Sequence, residues 1–142
     1  MKFNQNSALD QLMTLLFEPY KKSVADVQKV SSALLANGII TSEDEIINDH
    51  IAFRTLGVPH LGIASLENIF LHYGYKKRDY YFFEGKKLNA YWYSPPSPKY
   101  PRIFISELRV EDLSRSTKAL ITKYTAKVTS DPVSNLDLND PE

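Results

Sequence analysis

The order of apolar periods along residues 45–127 limits the fold of this chain more than any other property it has. Residues 46–56, Ile-Ile-Asn-Asp-His-Ile-Ala-Phe-Arg-Thr-Leu, are rich in β-branched and aromatic side chains and predict a strand. Leu66, Ile69, Phe70 and Tyr73 then recur at helical spacing, with Ser65 as candidate N-cap and Gly74 as stop. Residues 80–83 and 88–93 flank Glu84-Gly85-Lys86 and predict a hairpin. Ser94-Pro95-Pro96-Ser97-Pro98 is a stiff connection with no sheet donors at its prolines. Residues 102–110 predict a further strand, and Leu113, Thr117, Leu120, Ile121 and Tyr124 a final helix. One βαβββ unit makes a curved sheet with an edge and a concave face left uncovered. A second unit, from the same chain or from a partner, is expected to complete it.

Ahead of this unit the period is helical. Leu9, Leu12, Met13, Leu16, Phe17 and Tyr20 form one stripe, and Pro19 is expected to limit that helix or kink its end. A second helix is expected from Ser23, with Asp26 favouring its N-terminus, Val24, Val27, Val30 and Leu34 on its apolar side, and Asn37-Gly38 as its stop. The expected class is α+β. It comprises an N-terminal helical segment (1–44), one βαβββ unit with its final helix (45–127) and a polar tail (128–142). A chain of 142 residues suffices for one domain with a real core.

Charge and composition narrow the function. Seventeen basic residues balance seventeen acidic ones, so neither nucleic acid nor an anionic membrane is expected as a partner. The short run Lys76-Lys77-Arg78 reads as a solvated strand end. The absence of cysteine excludes disulfides, thiolate nucleophiles, iron–sulfur clusters and thiolate zinc sites. The start is polar and no window approaches the roughly 20 apolar residues of a membrane helix, so a cytoplasmic protein is expected.

Strand alternation places Asn48, His50, Ala52 and Arg54 on one face and Ile47, Asp49, Ile51, Phe53 and Thr55 on the other, the latter suited to packing against helices. Imidazole is a good ligand for iron, zinc or copper, and a nearby guanidinium can hold a substrate carboxylate through two parallel hydrogen bonds. From spacing alone the signal is weak: a lone strand histidine such as His50 is more often a hydrogen-bonded structural residue than a ligand, and Arg54 reads similarly as half of a salt bridge. In the last strand Glu107 shares a face with Ile103 and Ile105. A carboxylate there must be paired or metal-bound, and an ion pair with Arg54 or Arg109 is one reading. His60, in a Gly/Pro loop, and His72, off its helix stripe, are expected to face solvent.

Asn48-Asp49-His50-Ile51-Ala52-Phe53-Arg54-Thr55 resembles the signature of the 2-oxoadipate dioxygenase/decarboxylase (hydroxyglutarate synthase) family. Leu66-Glu67-Asn68-Ile69-Phe70, Gly74-Tyr75 and Arg102-Ile103-Phe104-Ile105-Ser106-Glu107-Leu108 resemble the same family in the same order, over roughly residues 8–125. The resemblance implies a glyoxalase-like, vicinal oxygen chelate half barrel. It also implies an Fe(II) enzyme, with another divalent metal as an alternative, that uses dioxygen to turn 2-oxoadipate into 2-hydroxyglutarate and carbon dioxide in lysine catabolism. His50 corresponds to a metal ligand and Arg54 to the residue that binds a carboxylate of the 2-oxo dicarboxylic acid. Glu107 is expected to line the cup and orient Arg54 or substrate, and Asn48 is a candidate acceptor for the second ring nitrogen of His50. Family members are considerably longer, and their other histidine and their glutamate ligand lie in a later unit. This chain then corresponds to the N-terminal half of a site, completed by a C-terminal part or by a homodimer partner. A metal-free carboxylate-binding module and a glyoxalase-like lyase on the same scaffold are the competing readings.

Overall fold

The computed structural model describes residues 7–140. They fall into two compact units, residues 7–48 with 137–140, and residues 49–136. The first unit holds helices α1 (Ala8–Ser23) and α2 (Ala25–Ala36) and a 3₁₀ turn over Glu43–Glu45. Ser7 caps α1 by accepting from the Asp10 N–H. Pro19 sits inside α1 rather than ending it, and Ser23 is its last residue rather than the cap of α2. The last turn survives because the Val24 N–H still reaches the Tyr20 carbonyl at 3.0 Å. At the far end of α2, Gly38 adopts φ +65°. Its N–H bonds Leu35 O and that of Ile39 bonds Leu34 O, both at 3.0 Å, a Schellman stop.

The second unit holds β1 (His50–Leu56), α3 (Ile63–His72), β2 (Lys76–Phe83), β3 (Leu88–Ser94), β4 (Arg102–Leu108) and α4 (Arg115–Thr125). The strands form one sheet in the order β1-β4-β3-β2. Strand β1 pairs with β4 in parallel, and the other neighbours are antiparallel. This is the expected α+β, βαβββ arrangement. Strand β1 begins at His50, four residues later than its composition suggests. The Arg102 N–H bonds Asp49 O at 3.0 Å, but no ladder can continue below it. Pro101 has no N–H, and the Tyr100 N–H is already bonded to Ser97 O. Strand β2 is longer than expected and carries Lys76, Lys77 and Arg78 along a free edge, where charge discourages further pairing.

One face of the sheet is covered. Ile51, Phe53 and Thr55 stand beside Ile103, Ile105 and Glu107, and these beside Tyr93, Tyr91 and Asn89. Helix α3 packs here: the Phe53 and Phe70 rings lie 5.4 Å apart, and Phe70 meets Tyr75 edge-on at 5.7 Å. Ile103, Ile105 and Tyr93 are fully buried, and each such side chain is worth roughly 1.5–3 kcal/mol when removed from water. The Tyr93 hydroxyl donates to Glu67 of α3 at 2.6 Å, and burial together with that carboxylate pushes its pKa upward. The polar tail is not wholly outside this unit. Residues Pro132–Asn135 form a 3₁₀ turn with Val133 buried, and Asp131 accepts a 2.6 Å hydrogen bond from Ser65. Ser65 therefore ties down this segment instead of capping α3.

The start of α3 is capped from across the fold. Its N-cap is Gly62, at φ +90° and without a side chain to offer. The free Ile63 N–H donates instead to Glu107 Oε2 at 2.9 Å. A Cβ on Gly62 would lie 2.7 Å from the same oxygen, so both the backbone angle and the close approach require glycine. Asn89 donates to Glu107 Oε1 at 3.3 Å. Glu107→Ala is expected to cost about 1–2 kcal/mol, the loss of a cap and of a charge at a helix N-terminus. Glu107→Gln, which keeps an acceptor, is expected to recover part of that. Urea unfolding midpoints of the two variants check it.

Candidate metal and carboxylate site

The opposite face of the sheet is open. Register places His50 beside Arg102, Ala52 beside Phe104 and Arg54 beside Ser106, with Trp92 next to Phe104 on its other side. His50, Ala52 and Arg54 are all exposed. A hollow of about 560 Å³ opens over this face, with His50, Asp49 and Arg102 at one end and Tyr81, Trp92 and Phe104 as aromatic walls. The Tyr81 and Phe104 rings are 5.8 Å apart. Asp79, at the same hollow, accepts from the Trp92 indole N–H at 2.9 Å.

At the mouth of β1, Asp49 joins two neighbours. Its Oδ2 is 3.0 Å from His50 Nδ1 and its Oδ1 is 3.1 Å from Arg102 Nη1. With Nδ1 donating to a carboxylate, the neutral imidazole presents the Nε2 lone pair outward, the arrangement that orients metal-ligating histidines. The residue holding the second ring nitrogen is thus Asp49, not Asn48. Alternation assigned Asp49 to the covered face, but it precedes the ladder, so its side chain is not bound by the strand period. Arg54 makes no hydrogen bond or ion pair with any described residue, and it is not part of the lining of the hollow.

Glu107 does not line the cup. It stands in register with Thr55 on the covered face, with its carboxylate at the start of α3. It pairs with neither expected arginine: Arg109 is bound to Asp112 and to the Leu88 carbonyl. His60 and His72 are exposed, as expected. Asp49, Arg102, Asp79 and the three aromatics were not singled out in the sequence. For Asp49 the signal was adjacency to His50; for Arg102 it was strand parity with Phe104 and Ser106, which acquires meaning only once β4 lies beside β1.

Among the described residues no group of three histidine or acidic side chains could hold a metal ion. His50 is a single donor of the right chemistry, with its outer lone pair free and its inner nitrogen fixed. These residues fit one corner of a coordination sphere.

The His50 hydrogen bond and the Arg102 charge lower the pKa of Asp49 from its ordinary 3.8. A lowered carboxylate stabilises the fold above its ordinary pKa and loses that contribution as pH falls through the lowered one. The ¹³C titration of the Asp49 carboxyl should therefore have its midpoint below 3.8, moving upward in Arg102→Gln. Long-range ¹H–¹⁵N spectra of the neutral ring should show His50 as the Nδ1–H tautomer, and Asp49→Ala should shift it toward Nε2–H.

A sequence model of the 2-oxoadipate dioxygenase/decarboxylase family matches residues 12–140. The chain is 42% identical over 94 residues to the chloroplastic 2-oxoadipate dioxygenase/decarboxylase of Arabidopsis thaliana, covering 58% of this chain and 25% of the relative. It is 45% identical over 91 residues to the chloroplastic/amyloplastic enzyme of Oryza sativa subsp. japonica, covering 57% of this chain and 25% of that one. The match thus spans about a quarter of the length of these curated relatives. Among solved structures, the hydroxyglutarate synthase of Oryza sativa in complex with 2-oxoadipate superposes with a TM-score of 0.74 at 33% identity, over 82% of this chain and 39% of that one. A protein of Shewanella frigidimarina described as a hydrolase gives 0.72 at 31% identity, over 91% of this chain and 45% of that one. A glyoxalase superfamily protein of Ralstonia eutropha gives 0.66 at 18%, over 88% of this chain and 39% of that one, a likeness of fold. The βαβββ unit accordingly has a glyoxalase-like fold. Match and fold agree with the signature around His50: the chain belongs to the 2-oxoadipate dioxygenase/decarboxylase family.

Proposed function

We propose that this chain supplies one half of the site of an Fe(II)-dependent enzyme that converts 2-oxoadipate and dioxygen to 2-hydroxyglutarate and carbon dioxide. The observation that carries the reading is the pairing, on one open face, of an imidazole whose Nδ1 is already held with a guanidinium that bonds no described residue, two alternations further along β1. The activity comes from the family, whose curated members bear the name of this reaction. His50 would hold the metal through Nε2, and a bound Fe(II) would supply the one-electron chemistry that dioxygen needs. Asp49 keeps the imidazole in the ligating tautomer and aims it. Arg54 binds a substrate carboxylate and limits the poses the acid can take. The aromatic walls exclude water from the middle of the hollow and favour an aliphatic chain. The remaining metal ligands come from outside the described residues, in a second βαβββ unit carried by a continuation of the chain or by a second copy. The same reading assigns the reaction to lysine catabolism in the cytoplasm. Among the described residues no helix is long and apolar enough to cross a membrane.

The test is made on the complete protein. Oxygen uptake with 2-oxoadipate should match carbon dioxide release one for one. His50→Ala should abolish Fe(II) retention and turnover together. Arg54→Ala should raise KM by about 10- to 100-fold, the worth of a hydrogen-bonded charge pair. Full iron occupancy in His50→Ala, or turnover without oxygen uptake, would overturn the reading, the latter in favour of lyase chemistry. Undiminished binding of 2-oxoadipate after exhaustive chelation would favour a metal-free module.

A further inference from the structure

We propose that Arg102 is a second anion-binding residue of the site, directed at the 2-oxo-acid end of the substrate, and that Arg54 takes the opposite end. The inference rests on the function proposed above and adds to it a second residue that receives a charged end of the substrate.

The argument is one of register and unused donors. Arg102 stands directly beside His50 across the parallel pair, about 4.8 Å away at the Cα positions. It lines the hollow with His50, and its side chain is 58% exposed. A guanidinium has five N–H donors, and among the described residues Arg102 bonds Asp49 alone, through Nη1 at 3.1 Å. Asp49 divides its two oxygens between Arg102 and His50, so it orients both without saturating either. The remaining donors lie next to the imidazole that is to hold the metal, where the chelating end of a 2-oxo acid must sit.

Arg54 is four residues along β1, about 13 Å from His50 at the Cα atoms and about 14 Å diagonally from Arg102. Between the two arginines lie the Ala52 methyl and the Phe104 ring, with Trp92 beside Phe104. Two arginines at opposite corners of this face in register, with Ala52 and Phe104 between them, suit a dicarboxylate whose methylenes lie across the aromatic wall. Charge supports the order of binding. Asp49 and Asp79 against Arg102 leave these three side chains one negative charge, which favours a cation first. A divalent ion then reverses the sign and favours the anion.

The experiment uses the complete protein, loaded with Fe(II) under anaerobic conditions. Its probes are 2-oxoadipate and 2-oxohexanoate, the same chain without the distal carboxylate. Binding of each acid and retention of Fe(II) are measured separately. Arg102→Gln should weaken both acids by about tenfold or more while Fe(II) retention stays within about threefold of wild type. Arg102→Lys should recover part of the loss. Arg54→Gln should weaken 2-oxoadipate and leave 2-oxohexanoate unchanged, and Asp49→Asn should lower Fe(II) retention itself. If Arg102→Gln lowers Fe(II) retention as Asp49→Asn does, and acid binding merely follows metal occupancy, Arg102 only braces Asp49 and the proposal is overturned. Unchanged affinity for 2-oxohexanoate in Arg102→Gln overturns it equally, and leaves the function standing if 2-oxoadipate is still turned over. If the wild type retains no Fe(II), the function proposed above fails. The same two acids on the metal-free protein then decide for Arg102: weaker binding in Arg102→Gln sustains it as an anion site, and equal binding removes it.

Discussion

The parallel pairing of β1 with β4 sets the position of every group that matters in this unit. It puts His50 beside Arg102 and Phe53 beside Ile105, so one face collects imidazole, guanidinium and aromatic rings while the other collects the core. A slip of one residue would exchange the two sets, burying His50 and Arg54 and exposing Phe53 and Ile51. The register is held at its lower end by the Arg102 N–H on Asp49 O, where Pro101 and the committed Tyr100 N–H end the ladder. At its upper end the Gly57 N–H bonds Leu108 O at 2.9 Å. The covered face adds the hydrophobic penalty that makes any other register costly.

The two faces carry different kinds of polar group for a physical reason. Glu107 lies on the covered side and is satisfied there, by the free N–H of Ile63 and by Asn89. A half-buried carboxylate at a helix N-terminus is stabilised by the unpaired donors and the dipole, and in return it anchors α3 on the sheet. On the open side the charged groups stay in contact with water, and only part of their hydrogen-bonding capacity is used. Asp49 spends one oxygen on each neighbour, and the guanidinium of Arg54 makes no bond to any described residue. Groups that are solvated and incompletely paired are the ones available to a ligand.

Much of the architecture could be read in the residues. The helical stripe of Leu66, Ile69 and Phe70, the hairpin around Gly85 and the strand from Arg102 appear where their periods indicate, because local pattern and tertiary packing agree there. The ends of elements agree less well. Ser65 lost its capping role to Glu107, Pro19 was absorbed into a helix, and residues 46–49 were left out of β1 although their side chains suit a strand. In each instance a hydrogen-bond partner distant in sequence, or the lack of one, prevailed over local propensity.

Alternation within the segment from His50 to Leu56 by itself determined that His50, Ala52 and Arg54 share one side and that Ile51 and Phe53 share the other, since side-chain direction along a strand has a period of two and needs no partner to be known. Only the tertiary structure decided what each side meets. It brought Arg102 to His50 from 52 positions away, sent Glu107 to the helix side rather than the cup, and let Asp49 turn to its neighbour because no ladder held it. Which strands become neighbours, and in what register, is settled by contacts between segments far apart in the chain, and a local period carries no record of them.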